Sequence, residues 1–141
     1  MPLDLREVVV ELHRVVPRLK LRAEHARLAG EFTSLETAVV ELAGTVAEVW
    51  PLVGTVGVDH PARAKVNELL IGLERAWTDD EGLPGRPWFR NLYCTSDRDS
   101  GYGAVVLPLI DEAIDDRDPQ ALSRALLRVV ERVNALQRDV E

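Results

Sequence analysis

The sequence predicts an all-α fold, a four-helix-bundle-like antiparallel bundle with one long aromatic loop. Three observations lead there. Apolar residues recur at helical spacing along most of the 141-residue chain. Strand signals are nearly absent, with Arg90–Cys94 the one stretch that could pair briefly. Residues 79–103, DDEGLPGRPWFRNLYCTSDRDSGYG, lose the helical period altogether. No domain boundary, internal repeat or low-complexity segment interrupts the chain, so residues 1–141 read as a single helical domain.

Taken in order, the first run spans Leu3 to about Ala29, with apolar positions at Leu5, Val8/Val9, Leu12, Val15/Val16, Leu19 and Ala23. Pro17 predicts a kink or short break near Val15–Arg18, because proline removes a helix donor and clashes with the preceding turn. The second run, Leu28, Phe32, Leu35, Val39, Leu42, Val46 and Val49, alternates steps of four and three, the seam of a helix packed lengthwise in a bundle. Trp50 and Pro51 are expected to end it, with Gly54 and Gly57 in the connection. Asp59 or His60 as N-cap and Pro61 in the first turn open a third helix, with its seam at Ala62, Val66, Leu69/Leu70, Leu73 and Ala76/Trp77. After the loop, a short helix is expected from Ala104 to Ile114. The last helix opens at Asp118-Pro119 and runs through Leu122, Leu126, Val129, Val133 and Leu136. Paired apolar positions such as Val39/Val40, Leu69/Leu70, Leu126/Leu127 and Val129/Val130 give some helices two apolar flanks, one for the core and one for a partner.

Composition narrows the function classes. Hydrophobic and charged fractions of 46% and 29% are those of a folded globular protein. A net charge of −7 supplies no basic face for nucleic acid or anionic membranes. A lone cysteine, Cys94, excludes an internal disulfide. The start lacks a signal-peptide pattern, and no apolar stretch approaches the roughly 20 residues that span a bilayer. A complete chain of this kind is expected in the cytoplasm; one cut from a longer secreted or membrane protein leaves the compartment open.

The loop carries the most information, since helix connections in bundles usually take about 2–8 residues. It holds Trp88, Phe89, Tyr93 and Tyr102, more than half of the aromatics in the chain. Large rings in a loop either pin it to its own bundle or form an interface. Trp88 and Phe89, with Tyr93, are expected as buried anchors, the first two stiffened by Pro84 and Pro87. Tyr102, between Gly101 and Gly103, is expected to be exposed. Arg86 and Arg90 bracket the aromatic pair. Two roles stay open for them: bonding to loop carbonyls and bundle carboxylates, which is preferred, or contact with an anionic ligand. With Tyr102 they are the candidate contact residues.

The run Leu73-Glu74-Arg75-Ala76-Trp77, then Gly82-Leu83-Pro84-Gly85-Arg86-Pro87-Trp88-Phe89-Arg90, then Tyr93, Gly101-Tyr102-Gly103 and Leu107-Pro108 resembles the hallmark segment of the transferrin-receptor-like dimerisation domain. That domain is found in transferrin receptors and in zinc peptidases like glutamate carboxypeptidase. Pro2-Leu3-Asp4 and Phe32-Thr33-Ser34-Leu35 resemble further phrases of the family, so the likeness covers essentially the whole chain. It implies a four-helix bundle that self-associates about a two-fold axis. In the peptidase members it also implies a loop tyrosine, preceded by lysine, that holds the substrate's terminal glutamate. Tyr102 stands at the tyrosine position, but Ser100 and Gly101 precede it, so the lysine is missing.

Other chemistry finds little footing. His13, His25 and His60 form no H-x-x-x-H or H-E-x-x-H pair, and the Glu-x-x-His spacing of two-metal bundles is absent. No serine has a G-x-S-x-G context, and Gly101-Tyr102-Gly103 lacks the third glycine of a dinucleotide loop. Cys94 reads as a packed thiol. The acidic run Asp111-Glu112, Asp115-Asp116 and Asp118 lacks the glycine of a calcium loop and reads as a solvated helix end, with Asp118 as a cap. The expectation is therefore a non-catalytic association module with no metal or cofactor, partnering itself. The alternative is a companion subunit whose loop 79–103 completes the pocket of a separate zinc peptidase. Neither nucleic acid nor membrane is expected as a partner.

Overall fold

A computed structural model describes residues 4–57 and 59–140. Its elements are α1 (Leu5–His25), α2 (Thr33–Thr55), α3 (Arg63–Ala76), a hairpin of β1 (Cys94–Ser96) and β2 (Ala104–Val106), α4 (Pro108–Asp115) and α5 (Pro119–Val140). The fold is mainly helical, with one small two-stranded antiparallel sheet.

The core forms where the helical seams meet. Leu5, Val8, Leu12, Val16 and Leu19 of α1 are buried, as are Leu35, Val39, Leu42 and Val46 of α2. Leu122, Leu126, Val129, Val133, Leu136 and Val140 make α5 apolar along its whole length. α5 packs against α2, α3 and α4, while α1 closes on α2 and α4. The expected seams of α1, α2 and α5 therefore do meet in one core, while that of α3 joins it mainly through Leu73 and Trp77. Outer flanks turn away from it: Val39 is buried while Val40 is 62% exposed, and Leu126 is buried while Leu127 is 68% exposed.

Proline breaks the helices less than the sequence suggests. Pro17 lies inside an unbroken α1, on an exposed turn, where it forfeits the bond to the His13 carbonyl. Burial of Leu12, Val16 and Leu19 on both sides keeps the two halves on the same core. Pro51 likewise fails to end α2, which continues to Thr55, where Val56 N–H bonds the Val53 carbonyl. α3 begins later than expected, with Ala62 rather than Asp59 or His60 at the N-cap. The His60 ring nitrogen accepts from Ala62 N–H, and Arg63 N–H bonds the His60 carbonyl, a turn that precedes the helix.

α2 also corrects the expectation about apolar length. By length and composition it is the helix, among the described residues, long enough and apolar enough to cross a membrane. Its first half is a core helix, but past Val46 none of its residues is buried. α3 buries Leu73 alone, leaving Ile71 53% exposed, and it packs against α5 while scarcely touching α2.

Adjacent leucines on α5 test this assignment of faces. Leu126→Ala should cost about 2–5 kcal/mol in urea unfolding, because it opens a cavity in the core. Leu127→Ala should stay within about 0.5 kcal/mol, as for other surface substitutions. Equal costs would mean that the two flanks of α5 have been assigned wrongly.

Candidate functional site

The long loop is ordered by its own backbone and by α5. Trp77, buried at the end of α3, accepts at its carbonyl from Leu92 N–H (2.9 Å). Asp79 N–H bonds the Arg90 carbonyl (2.9 Å) and Leu83 N–H the Phe89 carbonyl (3.0 Å), so residues 77–92 double back on themselves. Gly82 makes the tightest approach. At φ +64° a Cβ there would lie 2.3 Å from the Pro87 carbonyl oxygen, so only glycine fits. Arg128 of α5 reaches the Asp79 carboxylate (2.7 Å) and the Gly82 carbonyl (3.3 Å), and Arg132 reaches the Thr78 carbonyl (3.4 Å). Burial alone would raise the Asp79 carboxyl, but Glu81 N–H, Arg128 and Arg132 overcome it and hold the group below its ordinary value.

The loop's apolar anchors are Leu83 and Leu92, both fully buried. Tyr93 is half-buried against the Trp77 ring, centroids 5.1 Å apart, and Phe89 packs partly into the core. The Arg86 guanidinium lies 5.0 Å from the Phe89 ring, donates to the Ser96 carbonyl (3.3 Å) and pairs with Glu112. Only 14% and 11% of those two side chains are exposed. Removing one partner of such a pair would strand a buried charge. Burial pushes the Glu112 carboxyl up, with Arg86 and Arg98 pulling against it.

From Leu92 the chain enters the β1–β2 hairpin, in register Cys94↔Val106, Thr95↔Val105 and Ser96↔Ala104. Its tip is organised around the Asp97 carboxylate, which accepts from Asp99, Ser100, Gly101 and Gly103 N–H groups and from the Ser100 hydroxyl. These donors hold the carboxyl far below the ordinary range, the Ser100 hydroxyl most of all. Gly101, at φ +73°, takes the left-handed turn that follows. The product is a shaped tip on which Tyr102 is 97% exposed. Burial, aided by Glu11, raises the neighbouring Cys94 thiol, which disfavours the reactive thiolate.

A family model for the transferrin receptor-like dimerisation domain matches residues 24–140. The chain belongs to that family. The match takes in α2 to α5 and both parts of the loop, and leaves most of α1 outside it. The chain is also similar to a probable glutamate carboxypeptidase of Arabidopsis thaliana, LAMP1, at 38% identity over 52 residues, or 37% of this chain and 8% of the relative. It thus aligns with a small part of that relative's length.

Against this family background, the site residues expected from sequence separate into three groups. Tyr102 is exposed as expected, and Arg90 is largely exposed beside Asp80 (3.4 Å). Arg86 takes the preferred of its two expected roles, a strut that bonds a loop carbonyl and a bundle carboxylate, and is not a free contact residue. Phe89 and Tyr93 do anchor the loop, but Trp88 does not. Trp88 is 71% exposed, stacked only at an angle on Phe89, because its neighbour takes the inward position. Sequence reasoning passed over Leu92 and Asp97, met Leu83 only within the family motif, and read Glu112 as part of a solvated helix end. The L-P-G and D-x-x-S-G phrases were the available signals for Leu83 and Asp97.

The acidic run on α4 is likewise more than a solvated end. Asp111 and Asp115 pair with Arg22, Asp116 with Arg98 (2.8 Å) and the buried Glu112 with Arg86. Asp118 caps α5 through Gln120 and Ala121 N–H groups. Among the described residues, no three His, Cys, Asp or Glu side chains stand together as a metal site.

Two measurements follow. Trp77→Ala should cost about 3–5 kcal/mol and Trp88→Ala less than about 1 kcal/mol in urea unfolding; the reverse order would return Trp88 to the anchor role. Because the Asp97 carboxyl is depressed, its ordering of the tip is fully present above the ordinary aspartate range and is lost only as the pH falls through the lower folded value. At about pH 4, where a free aspartate is half protonated, amide resonances of Ser100 and Gly103 should still sit at their neutral-pH positions. A titration of these amides with an ordinary aspartate midpoint would contradict the network.

Proposed function

We propose that this domain is a non-catalytic association module that forms a homodimer, its helices arranged as a four-helix-like antiparallel bundle. The observation that carries the reading is the apolar surface its own core leaves open. Leu52 on α2 is 64% exposed and Ile71 on α3 53% exposed, besides Val40 and Leu127. Between Glu48 and Asp59 the sequence contains no charged residue. Two chains of charge −7 repel each other, so an uncharged face is where like copies can meet. Membership of a dimerisation-domain family supports the same conclusion.

A second reading is favoured by the hairpin tip. A rigid loop presenting an exposed Tyr102 suits a companion subunit that completes the pocket of a separately encoded zinc peptidase, the class to which the Arabidopsis relative's name points.

Sedimentation or light scattering on the full chain tests the first reading. The expected result is a dimer at micromolar concentration that buries roughly 1,200–2,000 Å². The pair Leu52→Asp and Ile71→Asp should weaken it by at least about tenfold, the equivalent of 1.4 kcal/mol. A monomer at high micromolar concentration would rule out the homodimer.

A further inference from the structure

We propose that the groove between α1 and the outer edge of β2 binds an extended, acidic peptide segment, which adds to the hairpin as a third strand. The backbone comes first. Leu107 N–H bonds the Tyr93 carbonyl (2.8 Å) and Asp97 N–H the Gly103 carbonyl (2.7 Å), which brackets the hairpin. In an antiparallel pair, residues that bond across alternate with residues that do not. With this register, Thr95 and Val105 face one another, and the N–H and C=O groups of Ala104 and Val106 point outward. No partner for these groups occurs among the described residues. On β1 the corresponding outer position is used, since the Ser96 carbonyl accepts from Arg86. The open edge is therefore that of β2, the kind of edge to which an extended peptide adds.

Side chains give the edge its chemistry. Ala104 and Val106 border a groove of about 200 Å³ whose other wall is α1. Arg14, Arg18 and Arg22, spaced by four, run along that wall above Val15 and Leu19. Glu11 and Asp111 line the same groove. Arg14 is paired with Glu11 (2.5 Å), and Arg22 with Asp111 and Asp115. Arg18 makes no hydrogen bond or ion pair among the described residues, although its charge is felt by Glu11. A strand laid along β2 would place alternate side chains toward this wall, where a carboxylate opposite Arg18 completes the charge pattern. A second copy fits poorly, because pairing β2 with β2 would bring Ala104, Val105 and Val106 of the other chain, with no carboxylate to meet Arg18. The inference does not rest on the dimer reading; its surface lies on α1 and β2, away from α3.

The test is a titration of the full chain with a synthetic heptapeptide, Thr-Val-Glu-Val-Glu-Val-Thr, blocked at both ends and followed by amide NMR. Saturable shifts are expected at Ala104 and Val106, weakening as salt is raised. Arg18→Glu should reduce affinity by about tenfold or more, the scale of one charge-assisted contact. Ala104→Pro removes an outward N–H but no cross-strand bond, and should cause a similar loss while the Gly103 amide stays in place. Three results would overturn the proposal: no saturable shift at millimolar peptide, equal binding of the Thr-Val-Lys-Val-Lys-Val-Thr peptide, or undiminished binding by Ala104→Pro. Shifts at Ala104 and Val106 that follow the concentration of the chain alone would also overturn it, by naming a second copy as the occupant.

Discussion

The apolar stripe of α5 is the constraint to which the other elements answer. Leu122, Leu126, Val129, Val133, Leu136 and Val140 follow steps of four, three, four, three and four, so the buried line drifts little around the helix. α2, α3 and α4 all dock against this one helix. Fully burying a side chain of this kind contributes about 1.5–3 kcal/mol, and six in line make α5 the backbone of the core. Its polar side is also in use. Arg128 and Arg132 hold the start of the long loop through Asp79, Gly82 and Thr78. One helix thus organises the core and fixes the loop.

Around that core, arginine–carboxylate pairs take the place of further apolar packing. α4 has eight residues, yet its acidic side chains and the adjacent Asp116 meet Arg22 of α1, Arg86 of the loop and Arg98 of the hairpin. Exposed members of this set contribute little individually, since solvent screens them. The Arg86–Glu112 pair differs because both side chains are largely shielded from solvent and Arg86 also bonds the edge of β1. It ties loop, hairpin and α4 together geometrically, which suits a loop whose shape matters more than its stability.

The seams were legible in the sequence because burial follows periodicity: Leu35, Val39, Leu42 and Val46 are buried in the spacing that predicted them. Boundaries were less so. α1 and α4 each end in a left-handed residue, Arg27 and Arg117, where glycine is the usual signal. Leu28 N–H bonds the Ala23 carbonyl and Asp118 N–H the Ala113 carbonyl, so the capping bonds hold each arginine in that conformation. Leu107, also left-handed at φ 55°, is fixed by burial and by its bond to Tyr93, and it divides β2 from α4 where one helix was expected. Ala104–Val106 became a strand because its cross-strand partner lies ten residues away, which local periodicity does not register. Trp88 misled for a similar reason. Of two adjacent rings only one can face the core, and Arg86 stacking on Phe89 decides which.

The exposed features of the domain divide by physical character. The far half of α2 is uncharged from Val49 to Thr55 and buries none of those residues, so covering it gains hydrophobic energy but demands little geometric precision. The hairpin is the opposite case. Its tip exposes one tyrosine, while four backbone N–H groups and a hydroxyl converge on Asp97 to fix the loop beneath it. An ordered loop loses little conformational freedom on binding, so even a small contact there can be specific. The two surfaces therefore suit different tasks: the apolar end of α2 can supply the strength of an association, and the hairpin can supply its selectivity. Because α5 packs against α2 and holds the loop through Arg128 and Arg132, both surfaces are carried on one element.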